Sequence, residues 1–236
     1  GFETGWGPHA CWLLCSLPGA PAVTKRPPPK KNRARLRADQ MPEFFQRMKS
    51  DTSDELTILA IRWTLLTMVR SQETRFAVWD EMEWLDGSEP AWRIPKERMK
   101  MRRPHIVPLS RQAVRLLERL RARAGGSKWV FPVGYAWKNE VISENRMSDA
   151  LRRWGYRELA TVHGFRSTAS TTLNESGLWS VDAIELALAH DDSTSVRSAY
   201  NSALRLGERR LMLQWWADRL DEWEAVGEDP AMAMLG

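Results

Sequence analysis

Apolar residues recur at helical spacing along most of the chain from about residue 39. The strongest stripe follows Thr52-Ser-Asp-Glu55, which has capping-box spacing, and comprises Leu56, Leu59, Ala60, Trp63, Leu66 and Thr67. The same periodicity predicts further helices. They lie over 42–49, from Ser110 (with Val114, Leu117 and Leu120 inward), from Ser143, from Gly164 to Ser176, from Ser180 (with Val181, Ile184 and Leu188 inward), over a short stretch that ends at Tyr200, and around 203–223. The chain is therefore predicted to be mainly helical.

A different pattern lies between residues 84 and 109. Trp84-Leu85 is followed by Asp86-Gly87, a hairpin signal, and then by the strand-like stretch 91–94. His105 begins a third such stretch, so Lys100 falls on the loop before it. Residues 128–131 suit a short strand or an extended link. We predict an α+β fold, mainly α with a small three-stranded antiparallel β-sheet.

Residues 1–37 differ in composition, because Gly and Pro punctuate them and PPPKK is stiff and basic. We expect a basic, Pro-rich tail over 1–37, disordered or the remnant of an N-terminal DNA-binding region. A domain over 38–225 and a C-terminal tail over 226–236 should follow. Only about 38 residues thus precede the predicted domain.

Cysteine usage and hydropathy argue against a zinc protein and against a membrane protein. Cys11 and Cys15 are the only cysteines, and no Cys/His spacing suits zinc, so we expect no structural metal site. Unpaired thiols fit a cytoplasmic protein. The apolar stretch 10–23 is too short to span a bilayer, so we expect no membrane association.

Positive charge is clustered more strongly than the net charge of +5 suggests. Eleven Lys or Arg residues lie within 93–123, against only Glu97 and Glu118. Such a run alone is typical of solvated surface. A nucleic-acid partner becomes the better interpretation because this cluster lies between the two halves of a candidate phosphoryl-transfer site.

Those candidate residues are concentrated in the last third of the chain. His163 and Arg166 form a His-x-x-Arg pair, His190 follows, and Tyr200 is one of only three tyrosines. A hydroxyl nucleophile beside cationic groups suits attack on a phosphodiester without a metal.

Each of these residues also has a structural interpretation. His163 could cap a helix, His190 could end one, and Tyr200 could be a buried helix residue. Arg166 could pair with Glu175 or Asp182. Singly these interpretations are preferred, but the joint occurrence of the residues favours function.

Four segments in order carry a resemblance: LLTMVRSQETRFAVWDEME, WRIPKERMKMRRPHIVPLS, VHGFRSTASTTLNESG and LALAHDD...VRSAYN. Over about residues 39–223 the chain resembles the catalytic domain of the tyrosine recombinases, the phage integrase family. The pattern is most similar to integrases of prophages and genomic islands. The resemblance implies a DNA strand transferase in a bacterial cytoplasm that needs no cofactor.

Residue roles are implied by the same resemblance. Arg70 matches the first active-site Arg, with Glu73 bracing it and Arg75 as a rival. Lys100 matches the hairpin Lys, with Lys96, placed on the strand side, as runner-up. The implied catalytic set is Arg70, Lys100, His163, Arg166, His190 and Tyr200, and the DNA-binding candidates are Arg75, Arg98, Arg102, Arg103 and Ser167.

The resemblance further implies a mechanism. Arg70 and Arg166 would hold the non-bridging phosphate oxygens, and His190 would donate to one of them. Lys100 would protonate the departing 5′ oxygen, and His163 would move the proton of Tyr200, which becomes 3′-phosphotyrosine.

Partners and departures follow from the family pattern. Members act on double-stranded DNA, so we expect self-association as a tetramer on recombining DNA and possible accessory DNA-bending factors. Members usually carry an N-terminal clamp domain and a Leu where Thr74 stands, so we expect a weaker grip on DNA and impaired activity. The final helix should pack on its own domain, although in this family a C-terminal segment commonly docks on a neighbour.

Two alternatives remain open to site-specific recombination. One is type IB topoisomerase-like strand relaxation, which uses the same nucleophile chemistry. The other is a non-catalytic DNA-binding remnant of a mobile element. Substitution of Tyr200 separates an enzyme from a remnant.

Overall fold

Helices account for most of the structure, a computed structural model that describes Gly1 and residues 34–100, 102–134, 140–190 and 205–228. Within these ranges the α-helices are α1 (Met41–Ser50), α2 (Glu55–Thr67), α3 (Ser71–Arg75), α4 (Arg111–Ala124), α5 (Arg146–Arg153), α6 (Gly164–Ser176), α7 (Val181–Ala187) and α8 (Leu206–Glu228). Short 3-10 helices cover Ala38–Gln40, Trp79–Glu81 and Lys96–Arg98. The helix predicted to end at Tyr200 lies outside the described residues.

Several helix ends lie where the sequence places them. Ser110 and Ser180 accept hydrogen bonds from the backbone N–H groups of Ala113 and Ala183, each at 3.2 Å, and so cap α4 and α7. Gly177 ends α6 with φ of 66°, a left-handed conformation that glycine adopts without steric cost. The predicted bounds of α6 are confirmed.

Other helix details differ from the prediction. The cap of α2 is Asp54, whose carboxylate accepts from Thr57 at 3.2 Å, so Thr52 is not the cap. α5 begins at Arg146 and not at Ser143, and Val181 is 62% exposed because it occupies the solvent-facing first position of α7.

Three short strands form the predicted antiparallel sheet, in the order β1 (Met82–Glu83), β2 (Ala91–Ile94) and β3 (His105–Pro108). β1 precedes the predicted Trp84-Leu85, because Trp84 takes φ of 53° and therefore leaves the strand. His105 pairs with Ile94 at the loop end of the β2–β3 hairpin, next to the loop that carries Lys100.

A second sheet was not predicted. It pairs β4 (Pro132–Val133) with β5 (Glu140–Val141), and an isolated bridge joins Trp129 to Val78. The stretch 128–131 is thus an extended link with one bridge, and the second sheet begins directly after it.

The hydrophobic core lies between the helices and one face of the three-stranded sheet. Trp63 of α2 is fully buried against Trp92 of β2, with ring centroids 5.4 Å apart. Trp216 of α8 is also fully buried, and its indole N–H donates to the Leu65 carbonyl at 2.8 Å. The apolar face of α8 therefore packs on its own domain, as predicted.

The folded region extends beyond the predicted domain limits at both ends. Leu36 is only 1% exposed, and its carbonyl accepts a hydrogen bond from Thr168 of α6 at 2.6 Å. Residues 34–37 therefore belong to the fold and not to the tail predicted over 1–37. α8 continues to Glu228, past the predicted limit of 225.

Candidate active site

Arg70 and Glu73 form the first half of the site at the start of α3. Arg70 immediately precedes the helix, and Glu73, 5% exposed, accepts hydrogen bonds from both its backbone N–H and its guanidinium, the latter at 2.9 Å. One carboxylate therefore fixes the main chain and the side chain of Arg70 together. This is the bracing contact that the resemblance implies.

Arg166 of α6 is buried, with 4% exposure, where three segments of the chain meet. Its guanidinium donates to the carbonyls of Met68, after α2, and Leu188, after α7, and lies 3.5 Å from Nε2 of His190. The alternative pairing with Asp182 does not occur, because Asp182 binds Arg205 at 2.8 Å. Burial, and then the charge of Arg70, lowers the pKa of Arg166 to about 10, so it remains a cation at neutral pH.

His190 lies just after α7, which ends at Ala187. Its Nδ1 is 2.7 Å from the carboxylate of Glu185, and its Nε2 faces Arg166. Because a guanidinium only donates, this contact fits the tautomer with the proton on Nδ1. Arg70 donates to the neighbouring Ala189 carbonyl at 3.4 Å, so Arg70, Arg166 and His190 converge on one turn.

Lys100 and His163 are exposed side chains. Lys100 follows the 3-10 helix Lys96–Arg98 on the loop between β2 and β3, as predicted, whereas Lys96 begins that helix and is not on a strand. His163 occupies the N-cap position of α6 without capping it, since Thr161 accepts the hydrogen bond of Gly164 at 2.9 Å. Tyr200 lies outside the described residues.

Two buried side chains beside the site were missed by the sequence analysis. His105 of β3 is 8% exposed and its imidazole is hydrogen-bonded to the backbone of Ala187. Burial, with the positive charges of Arg209, Arg166 and Arg70, lowers the pKa of His105 to about 3. A neutral imidazole therefore lies among three guanidinium groups.

Arg209 of α8 is the third of these guanidinium groups. It is buried and donates to the Ile106 carbonyl, and burial lowers its pKa to about 10. Its position next to β3 is set by tertiary packing. No spacing in the sequence relates Arg209 or His105 to the His-x-x-Arg pair, so only the structure finds them.

Comparison with known proteins identifies the family to which this arrangement belongs. The model of the phage integrase family matches residues 34–205. The chain belongs to the phage integrase family.

Named relatives and solved structures agree with this membership. The integrase of Enterobacteria phage P4 is 45% identical over 201 residues, covering 79% of this chain and 45% of the relative. Prophage integrase IntA of Escherichia coli K12 is 42% identical over 191 residues, covering 81% of this chain and 45% of the relative. The chain thus spans about half the length of the relatives it matches.

Two solved structures show the same fold at low sequence identity. The XerH site-specific recombinase in its pre-cleavage complex with difH substrate has a TM-score of 0.54 and 16% identity over 85% of this chain and 56% of that one. The Tn1549 transposon integrase in complex with circular intermediate DNA has a TM-score of 0.53 and 14% identity over 74% of this chain and 66% of that one. The predicted fold class is confirmed: the fold is mainly α with a small three-stranded antiparallel sheet, and it is like that of these two recombinase structures.

The departure of this integrase-family chain at Thr74 is accommodated locally. Thr74 is fully buried, and its hydroxyl is 2.9 Å from that of Thr64 in α2. The Thr64 hydroxyl in turn donates to the Ala60 carbonyl at 2.8 Å. The hydroxyl at the position where the resemblance implies a Leu is therefore hydrogen-bonded, and it leaves the Arg70–Glu73 pair intact.

The predicted DNA-binding residues fall into different environments. Arg75 donates to the Ile142 carbonyl at 2.8 Å, and Arg98 binds Glu81 and the carbonyl of Glu73. The remaining candidates are Arg102 and Arg103, which are exposed, and Ser167, which is half-buried on α6. Internal contacts thus occupy Arg75 and Arg98.

Metal-binding groups and membrane-spanning helices were sought in the described part of the chain. No three His, Cys, Asp or Glu side chains in it are grouped so that they could hold a metal ion. None of its helices is long and apolar enough to cross a membrane.

Proposed function

We propose that this chain is the catalytic part of a site-specific DNA recombinase that cuts and rejoins DNA through a 3′-phosphotyrosine. The observation that carries the proposal is the convergence of Arg70, Arg166 and His190 on the turn after α7, with Glu73 bracing Arg70. Two guanidinium groups and an imidazole at one place form a site suited to a phosphodiester.

Charge supports an anionic ligand at this position. Arg70, Arg166 and Arg209 bring three positive charges, and His105 beside them is kept neutral. Glu73 is paired with Arg70, and Glu185 is turned toward His190. An excess of positive charge remains, and a bound phosphate would neutralise part of it.

The reaction that we propose is the reversible transfer of a DNA phosphoryl group to Tyr200. The Tyr200 hydroxyl oxygen bonds to phosphorus while the bond from phosphorus to the 5′ oxygen breaks. Lys100 gives a proton to that 5′ oxygen, and His163 takes the proton that Tyr200 loses. The products are a 3′-phosphotyrosine and a free 5′ hydroxyl, and a 5′ hydroxyl from a second strand reverses the step.

Double-stranded DNA is the proposed partner. The relatives are named integrases, and of the solved structures described above one is bound to difH substrate and the other to circular intermediate DNA. Assembly as a tetramer on recombining DNA, accessory DNA-bending factors and a bacterial cytoplasmic location are parts of the same proposal. The exposed residues Arg102 and Arg103, on the loop that carries Lys100, are the proposed phosphate contacts.

A covalent-adduct assay tests the proposal. The chain is mixed, in the presence of a metal chelator, with a pool of nicked duplexes of random sequence, and adducts that resist denaturation are counted. We expect adducts from the parent and none from Tyr200→Phe, with DNA binding retained by both.

Tyr156→Phe is the matched control. Tyr156 is buried, its hydroxyl has no hydrogen-bond partner among the described residues, and burial raises its pKa to about 12. This variant should form adducts at the parent level. Binding without any adduct from the parent would contradict the enzyme and leave the DNA-binding remnant.

A further inference from the structure

Arg98 lies two residues before Lys100, at the end of the 3-10 helix Lys96–Arg98. We propose that Arg98 is a positioning residue: it ties the loop that carries Lys100 to the segment that holds Arg70. This inference rests on the proposed function and replaces the expectation that Arg98 contacts DNA.

Two independent anchors hold the Arg98 guanidinium. One terminal nitrogen donates to both carboxylate oxygens of Glu81, and the other donates to the Glu73 carbonyl at 2.8 Å. The Arg98 side chain is 21% exposed, and Glu81 is buried. Charge-assisted hydrogen bonds shielded from water are strong and directional, so this contact fixes the loop geometry.

Glu81 is itself held in place from the sheet. The indole N–H of Trp92, a fully buried residue of β2, donates to the Glu81 carboxylate at 2.9 Å. The anchor of Arg98 is therefore part of the core. Through its contact with Glu81, Arg98 holds the loop that follows β2 in a fixed position.

The other anchor, the Glu73 carbonyl, belongs to the residue whose side chain braces Arg70. Arg98 thus links the loop that carries Lys100, the proposed general acid, to the residue that braces Arg70, a proposed phosphate ligand. Lys100 is exposed and has a flexible stem, so its reach depends on where the loop is held. A displacement of about 1 Å in a reacting group costs roughly a hundredfold in rate.

The internal contacts of Arg98 also argue against DNA contact. Both terminal nitrogens already donate within the protein, and binding a phosphate would require breaking those hydrogen bonds. Arg102, four residues later, is exposed and faces no such conflict.

The test compares two leaving groups at the same scissile phosphate. One duplex carries the normal 5′ oxygen, and the other carries a 5′-bridging sulfur, which departs readily as a thiolate without a proton from a general acid. Both contain a target site recovered as an adduct from the random pool. The rate of adduct formation is measured for each duplex with the full chain.

The main variant is Arg98→Met combined with Glu81→Gln, which removes both charges and leaves no buried carboxylate unpaired. We expect it to slow cleavage of the oxygen duplex about ten- to a hundredfold and to cleave the sulfur duplex at close to the parent rate. Lys100→Ala should show the same pattern. The final amplitude on the sulfur duplex counts folded, active protein, so loss of folding lowers the amplitude and not the rate.

Arg93→Met combined with Glu83→Gln is the matched control. It removes an exposed ion pair of 2.7 Å between β2 and β1, in the same three-stranded sheet as the hairpin that carries Lys100. Its rates on both duplexes should equal those of the parent. Arg98→Lys keeps the positive charge but not the two terminal nitrogens of the guanidinium. It should slow cleavage of the oxygen duplex less than the main variant does and leave the sulfur duplex unaffected.

Equal slowing of the main variant on both duplexes would overturn the inference, since Arg98 would then act through Arg70 or the fold. An unchanged rate on the oxygen duplex would overturn it as well. Failure of the parent itself on both duplexes would instead refute the proposed function, and this inference with it.

Discussion

Arg166 is a buried cation held mainly by backbone oxygens. Met68 and Leu188, whose carbonyls accept from it, lie at the C-terminal ends of α2 and α7. Because helix C-termini carry partial negative charge, two of them together stabilise a guanidinium without a carboxylate that would compete with phosphate. A planar group with two terminal nitrogens is required to reach both carbonyls at once.

Arg166→Lys should therefore reduce both stability and adduct formation. A single ammonium cannot replace the fork, so one buried carbonyl loses its partner, at a cost of about 1–3 kcal/mol in the free energy of unfolding. Urea unfolding measures this cost. Arg152→Lys, which alters an exposed pair with Asp149, is the control and should change stability by less than about 0.5 kcal/mol. Equal losses in the two variants would contradict the account.

His105 should make the stability of the fold depend on pH. Its pKa in the folded state is about 3, below the ordinary value of 6.5, because it is buried beside Arg209, Arg166 and Arg70. The unfolded chain binds a proton below pH 6.5 and the folded chain does not, so stability is full above pH 6.5 and falls as pH decreases. The slope is at most about 1.4 kcal/mol per pH unit.

His105→Gln removes this titration while keeping a neutral, hydrogen-bonding side chain. Between pH 6.5 and 5, where the lowered pKa values of Asp51 and Asp54 have little influence, the variant should lose less stability than the parent. Urea unfolding at several pH values measures the difference. Parallel curves for the two proteins would show that His105 does not titrate in this way.

At the scale of elements, α6 is positioned by a close contact at its first residue. A Cβ on Gly164 would lie 2.3 Å from the carbonyl oxygen of Ala34, a backbone atom that cannot turn aside. The segment at 34–36 can pass this close to the start of α6 because residue 164 has no side chain. This gives a physical reason for the Gly between His163 and Arg166.

Gly164→Ala should displace the segment at 34–36 and destabilise the fold by about 1–3 kcal/mol. Gly207→Ala in α8 is the matched control, since a Cβ there meets no atom of the described residues within 4 Å. That change should be neutral or stabilising by about 0.5–1 kcal/mol. Thermal unfolding of both variants checks the sign of each change.

The predictable elements are those with local signals. Ser110, Ser180 and Gly177 act on the backbone within one helical turn, so the bounds that they set could be read from sequence. β1 could not be placed, because the positive φ of Trp84 has no signal in its residue type. The two-residue strands β4 and β5 are too short to carry an alternating pattern.

For the whole molecule, motif order predicted Arg70, Arg166 and His190, which the fold brings together from distant segments. His105 and Arg209 could not be predicted, because their roles depend on burial that arises only in the folded chain. Arg98 was predicted as basic surface, and its contact with Glu81 and Glu73 is likewise a tertiary feature.

Charge at the scale of the molecule should govern DNA affinity. With a net charge of +5 and a cluster over 93–123, affinity should fall linearly with salt on logarithmic axes. Arg102→Gln should reduce that slope by about 1, as expected for one lost phosphate contact. The Arg98→Met, Glu81→Gln variant should leave the slope unchanged. Fluorescence anisotropy at four salt concentrations distinguishes them.

The proposed function depends above all on a covalent link, formed without a metal, between Tyr200 and the 3′ phosphate of DNA. The most direct measurement is mass spectrometry of the adduct formed in chelator, after digestion of the DNA and the protein. We expect a nucleotide phosphate attached to the peptide that contains Tyr200, on the tyrosine oxygen. Attachment to any other residue, or an adduct that forms only when a divalent metal is supplied, would contradict it.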